Sequence, residues 1–235
     1  MERSLEGRVV VVTGGLGALG QAVARACGAA GASVALIDCI QPPPALRAEA
    51  ANPRLVLGDV DLASYDAASA AMDGIAREAG GIDALVNVAG GFRWETLEQG
   101  DLATWDWLYQ VNLRTAATAA KAVLPHLLAR GRGRVVNIGA AAAAKASAGM
   151  GPYAASKAGV ARLTEALADE LKDRGITVNA VLPSIIDTPR NRADMPTAEF
   201  DRWVPPQAIA DLVCFLLSAR ADAITGASIP VTGRT

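Results

Sequence analysis

Tyr153 and Lys157 stand four residues apart in Tyr153-Ala154-Ala155-Ser156-Lys157. In a helix this spacing stacks both side chains on one face. A phenol beside a fixed ammonium is a proton donor whose pKa is drawn from about 10 toward working pH. The stretch ahead of the tyrosine, Gly139-Ala140-Ala141-Ala142-Ala143-Ala144, holds no hydroxyl that would assist it. The combination points to an enzyme with a trimmed catalytic set.

A second constellation lies near the amino terminus. Thr13-Gly14-Gly15-Leu16-Gly17-Ala18-Leu19-Gly20 follows the apolar run Val9-Val10-Val11-Val12 and precedes a helical pattern. Gly15, Gly17 and Gly20 satisfy G-x-G-x-x-G. In a strand–turn–helix context this motif lets backbone approach a pyrophosphate and places the phosphate charge at a helix N-terminus. Gly14 and Leu19 belong to the same turn. Asp38 ends the second apolar run, 18 residues after Gly20. A carboxylate there accepts both ribose hydroxyls and repels a 2′-phosphate, and the following Cys39 is not basic, so NAD(H) is expected over NADP(H). Asp59 and Val60, just past the third run, are placed to frame the adenine.

The elements that must hold these groups alternate along the whole chain. Short apolar runs at 9–12, 33–37, 54–57, 84–88, 134–138 and 177–182 read as strands buried on both faces, with a weak last strand at 228–231 whose Pro230 suits a sheet edge. Helical patterns at about 18–30, 64–79, 101–130, 151–173 and 205–219 separate them. This alternation predicts one α/β domain over residues 1–235, a doubly wound parallel sheet of about seven strands with helices on both faces. Pro42-Pro43-Pro44 reads as a stiff turn. The proline-rich segment 187–206 breaks the rhythm after strand six, where a substrate lid is expected.

Bulk composition narrows the partners. With 51% apolar residues the 235-residue chain can bury a sizeable core. A net charge of −2 gives no footing for nucleic acid or an anionic membrane. No charge-free apolar run approaches the roughly 20 residues of a membrane span, and no secretory signal pattern opens the chain. Cys27, Cys39 and Cys214 are scattered, which reads as buried, reduced thiols in a cytoplasmic protein, with no metal site.

Taken in order, the glycine turn, Asp38, Asn87-Val88-Ala89-Gly90, Asn112 and Tyr153-x-x-x-Lys157 resemble the short-chain dehydrogenase/reductase family along essentially the entire chain. The resemblance implies an NAD(P)-dependent oxidoreductase. It implies that Tyr153 exchanges the proton, that Lys157 binds the nicotinamide ribose and lowers the tyrosine pKa, and that Asn112 holds a proton-relay water. It further implies that Asn87, Ala89 and Gly90 support the sheet beside the cofactor, and that Pro183, Ile186 and Thr188 border the nicotinamide. A homotetramer or homodimer, paired through the long helices, is also implied. Two positions depart from the pattern. Ala18 replaces a usual glycine, and Ala140 stands thirteen residues before Tyr153, where the family carries a catalytic serine. Losing one such donor typically costs roughly 10²–10³ in rate. Ser147 is a candidate substitute. A narrower likeness, to the dihydropteridine reductase branch, is carried by Gly14 to Gly20, Val88 to Phe92, Gly149 to Tyr153 and Leu182 to Trp203, and that branch also lacks the serine and prefers NADH.

The expected chemistry is hydride transfer between NAD(H) and a small C=O or C=N substrate. Phe92, Trp94, Ala140, Met150 and Trp203 are expected at the substrate pocket, while Trp105 and Trp107 are expected to pack and His126 to lie at a surface or interface. The competing reading is a catalytically silent dinucleotide-binding sensor or scaffold.

Overall fold

Four valines and a threonine make the first strand, β1 (Val9–Thr13), and all five are buried. Val10 and Val12 face one apolar layer, and Val9 and Val11 face the other. β-Branched residues without polar alternation suit a strand covered on both sides. The computed structural model describes residues 3–43 and 55–235. Pro44 of the expected proline turn and Arg54 of the expected third strand lie outside the described residues.

Helix α1 (Ala18–Ala29) and strand β2 (Ser33–Ile37) follow, then β3 (Leu55–Leu57), α2 (Tyr65–Ala79) and β4 (Ala84–Asn87). The second half holds β5 (Gly133–Ile138), α5 (Gly151–Leu171), β6 (Ile176–Pro183), α7 (Pro206–Leu217) and β7 (Ser228–Val231). The seven strands are parallel, in the order β3-β2-β1-β4-β5-β6-β7. Helices α1 and α7 cover one face, and α2 packs on the other. The order reverses between β1 and β4, where an open α/β sheet forms its ligand crevice at the strands' carboxyl ends. β7 is an edge strand, and its Pro230 pairs with Leu182 of β6, so the missing N–H falls where the ladder ends.

The single helix expected over 101–130 is three pieces. α3 (Leu102–Leu108) runs into a π-helical segment (Tyr109–Arg114), and α4 (Thr115–Arg130) completes the span. A π segment shifts the apolar register by one residue over a single turn, and a stretch as short as Tyr109–Arg114 is too brief for a hydrophobic pattern to reveal it. Tertiary bonds hold it. The Asn112 side-chain oxygen accepts from Gly91 N–H at 2.9 Å, and its amide donates to Ser156 Oγ at 2.9 Å.

Segment 187–206 is also more regular than expected. It contains α6 (Pro189–Asp194) and a short turn of 3₁₀ helix (Phe200–Arg202). Two backbone bonds tie its base, Asp187 N–H to Val204 O at 2.8 Å and Val204 N–H to Ile185 O at 2.9 Å. No helix among the described residues is long and apolar enough to cross a membrane.

A polar thread crosses the sheet's interior. Thr13, Asn87 and Asn137 are paired neighbours on β1, β4 and β5. Asn87 donates to Asn137 Oδ1 at 2.9 Å, and Asn137 donates to Thr164 Oγ1 of α5, also at 2.9 Å.

Candidate active site

The cleft begins at the glycine turn. Gly14 has φ +62, and a Cβ there would lie 2.7 Å from Ala89 N. A Cβ on Gly20 would collide with the Gly14 carbonyl. Both positions therefore admit only glycine, one for conformation and both for space. Gly17 caps α1 with backbone alone, so the first N–H groups of that helix have no side-chain partner. Uncapped N–H groups at a helix start form an anion site. Asp38 reaches back to steady the turn, accepting from Leu16 N–H at 3.0 Å.

From this turn a cleft of about 970 Å³ runs along the carboxyl ends of the strands. Gly14, Gly17, Leu19, Gly20, Asp38, Val60, Ala89, Gly90, Phe92, Trp94, Tyr153, Lys157, Pro183, Ile186 and Thr188 all line it. The structure thus brings the proposed cofactor residues and the Tyr153–Lys157 pair onto one surface.

Tyr153 and Lys157 sit in the first two turns of α5. Phe92 stands edge-on to the Tyr153 ring, with centroids 4.9 Å apart. Lys157 is buried and donates to the Ile138 carbonyl at 2.8 Å. Burial pushes the Tyr153 phenol up to about 12 and brings the Lys157 ammonium down to about 8. The lowered phenol pKa expected from the pair's spacing is therefore not found in this structure. Desolvation by burial opposes the charged form of each group, the phenolate of Tyr153 and the ammonium of Lys157. The consequence is directional, since a phenol at about 12 is held in its protonated, donating form.

Several expected site residues lie off the cleft wall. Gly15 is turned to the core, where a Cβ would meet Leu36 Cβ at 2.7 Å. Asp59 adopts φ 56 and faces a neighbouring hollow beside Leu57 and Ala71, while Asp61 takes the cleft position. Asn87 lies beneath the cleft, its amide bound to Asn137 and the Ala116 carbonyl. Asn112 is 1% exposed and its amide is committed to Gly91 and Ser156, so its side chain braces the wall instead of facing it. Ala140 is buried just behind, at the start of a 3₁₀ turn. Met150 caps α5 outside the lining. Trp203 is 5% exposed and stacks near Phe200 at 4.8 Å, which makes it core of the 187–206 segment. Ser147 is exposed and away from the lining, so it supplies no replacement hydroxyl here.

Trp107 moves the other way. Expected to pack, it lines the cleft, with the Arg93 guanidinium 4.9 Å from its ring. Trp94 fixes the loop by donating from Nε1 to the Ala148 carbonyl at 3.1 Å. Leu16, Gln110, Val111, Arg190 and Asn191 also line the cleft, though none was expected as a site residue. Leu16, Arg190 and Asn191 fall within stretches noted for other reasons, and Gln110 carries no signal of its own. His126 is remote, 3.0 Å from Asp73 between α4 and α2.

A doubly wound sheet, a phosphate-ready turn at its switch point, and a phenol–ammonium pair across the cleft define a nicotinamide-dinucleotide oxidoreductase. Comparison with known proteins agrees. Residues 8–199 match the short chain dehydrogenase family. The chain is 33% identical to the 3-oxoacyl-(acyl-carrier-protein) reductase FabG of Vibrio cholerae, covering 98% of both proteins. It is 34% identical to cis-4-hydroxycyclohexanecarboxylate dehydrogenase of Sinomonas cyclohexanicum, over 96% of this chain and 95% of that one. A short-chain type dehydrogenase/reductase from Mycobacterium ulcerans superposes with a TM-score of 0.89 at 28% identity, over 98% of this chain and 90% of the other. A Sinorhizobium meliloti dehydrogenase/reductase superposes with 0.85 at 32% identity, over 99% and 96%. The chain belongs to the short-chain dehydrogenase/reductase family and is an NAD(P)-dependent oxidoreductase of that type. The likeness to the dihydropteridine reductase branch rests on its motifs alone.

Proposed function

We propose that this protein is an NADH-dependent reductase of a small conjugated C=N or C=O substrate, with a quinonoid dihydropterin as the leading candidate. The observation that carries the reading is that Tyr153 and Lys157 line the same cleft as the glycine turn and the aromatic wall of Phe92, Trp94 and Trp107.

The residues present fit a nicotinamide dinucleotide. Gly14 and Gly20 let the turn fold tightly against Ala89 and against itself, which presents backbone to the cleft, and the uncapped start of α1 suits a pyrophosphate. Asp38 would hold the adenosine ribose. Around it the lining is Cys39, Ile40 and Asp61, with no lysine or arginine among the described residues there to welcome a 2′-phosphate. Lys157 would hold the nicotinamide ribose, and Pro183, Ile186 and Thr188 would border the ring. The bound dinucleotide supplies the hydride.

The chain's own residues supply the rest. Tyr153 Oη gives its proton to the substrate nitrogen or oxygen as negative charge develops there, a contribution of roughly 10²–10⁴-fold. The Lys157 ammonium stabilises the phenolate that results. Phe92, Trp94 and Trp107 form an aromatic wall suited to a flat ring system. The methyl group at Ala140 provides no hydroxyl to polarise a ketone. A conjugated imine-like electrophile needs less of that help. Segment 187–206, through α6, closes over this end as a lid, and the protein works as a homodimer or homotetramer in the cytoplasm.

The deciding experiment titrates the purified protein with NADH, then assays NADH oxidation against quinonoid dihydropterin, ketones and cyclic imines, with Tyr153→Phe as control. Turnover of the pterin or imine class with NADH, lost in the variant, is expected. Binding of NADH without turnover of any class would leave the silent-binder reading standing. Tighter binding of NADPH than NADH would overturn the role given to Asp38.

A further inference from the structure

Cys27 and Cys214 are 187 residues apart in sequence, yet their sulfurs are 3.7 Å apart. Cys27 lies in the third turn of α1 and is fully buried. Cys214 lies in the third turn of α7 and is half-buried, so solvent reaches the pair from the α7 side. Both sulfurs sit at the contact between the two helices that cover one face of the sheet. A disulfide needs about 2.05 Å between sulfurs. Side-chain torsions at two adjacent helix surfaces are the cheapest means of closing that gap.

We propose that Cys27 and Cys214 are a peroxide-oxidisable dithiol whose disulfide clamps α1 to α7. The electron count is closed by the peroxide. The Cys214 thiolate attacks one peroxide oxygen, the O–O bond breaks, and a sulfenic acid and hydroxide form. The Cys27 sulfur then attacks the Cys214 sulfur, the S–S bond forms, the S–O bond breaks, and water leaves with the thiol proton. Two thiols and one peroxide become one disulfide and two waters. The sulfurs lose two electrons and the peroxide gains them. Cys214 is the attacking group because it is the sulfur that solvent reaches, whereas Cys27 is fully buried.

The clamp joins two functional walls. α1 begins at the glycine turn, and α7 follows directly on segment 187–206. The third cysteine, Cys39, is exposed beside Asp38 and has no thiol partner among the described residues.

The test treats the full-length protein with hydrogen peroxide, alkylates remaining thiols, and maps unreduced peptides by mass spectrometry. A linked pair of peptides containing Cys27 and Cys214, two hydrogens lighter than the sum, is expected, with Cys39 alkylated. The link persists in Cys39→Ser and is absent in Cys214→Ser. Bridging is expected to raise the thermal midpoint by about 5 °C or more, reversed by dithiothreitol, because a long loop is closed in the unfolded chain. Alkylation of all three cysteines after peroxide, a sulfinic acid at Cys214, or links through Cys39 would each overturn the pairing. A linked protein with an unchanged or lower midpoint would overturn the clamp.

Discussion

The two ends of the cleft are built in opposite ways. At the proposed cofactor end the surface is backbone: Gly14 is pressed against Ala89 and Gly20 against Gly14, and one carboxylate, Asp38, steadies the turn. At the proposed substrate end the surface is side chain: Phe92 and Trp94 from one loop, Trp107 and Gln110 from the α3–π junction, and Arg190 and Asn191 from α6. Backbone surfaces packed this closely admit only glycine and so leave a legible trace in residue type. Side-chain walls are assembled from distant segments and can be rebuilt one residue at a time. The difference teaches that under the proposed assignment the cofactor end is shaped by steric necessity, and the substrate end by replaceable parts.

The pair at the boundary gives the largest test. Tyr153→Phe should lower kcat by roughly 10²–10⁴ while leaving NADH affinity within a few-fold, read by steady-state kinetics and fluorescence titration. A comparable loss of NADH affinity would mean the boundary is drawn in the wrong place. Next is Gly20→Val, whose side chain must displace the Gly14 carbonyl. NADH should bind at least ~100-fold more weakly, whatever the substrate, since strain of this kind costs a few kcal/mol.

The pH profile sharpens the link between the ends. Lys157 keeps its charge only below about 8, so kcat/KM for reduction should fall as pH rises through that value. A profile flat to pH 10 would show that Lys157's charge is not needed. The same group acts on stability with a defined sign. Its folded pKa lies below the unfolded value of 10.5, so between about 8 and 10.5 the unfolded chain binds more protons and this contribution to stability rises with pH.

Smaller effects separate the ends further. Asp38→Asn should shift the NADH-to-NADPH binding ratio by about tenfold toward NADPH, by removing one repelling charge. Trp94→Ala should raise KM for the substrate by a few-fold and leave NADH affinity unchanged. An equal change in both would erase the distinction between the two walls.

The same contrast explains what the sequence disclosed. The seven strands, the glycine turn and the Tyr153–Lys157 face were legible because strand burial, turn sterics and helical spacing each leave a local signature. The π segment was not, because Asn112's bonds to Gly91 and Ser156 are tertiary. Trp107 and Trp203 exchanged expected roles, one to the cleft and one to the core, because an aromatic residue reads alike in both settings. Asn87 was placed near the cofactor by its motif, yet its amide is spent inside the sheet. The phenol's pKa went up where spacing alone suggested down, because burial is a property of the whole fold.

The rung formed by Thr13, Asn87 and Asn137 has a consequence for assembly. These three residues meet only in the native alignment of β1, β4 and β5. Most of their neighbours on those strands are valine, leucine or isoleucine, which would pack nearly as well one step out of line. A one-residue slip would strand the two amides and a hydroxyl against hydrocarbon, each at a cost of about 1–3 kcal/mol. The rung therefore works as a key for the interchangeable valine ridges, favouring the one alignment that builds the cleft.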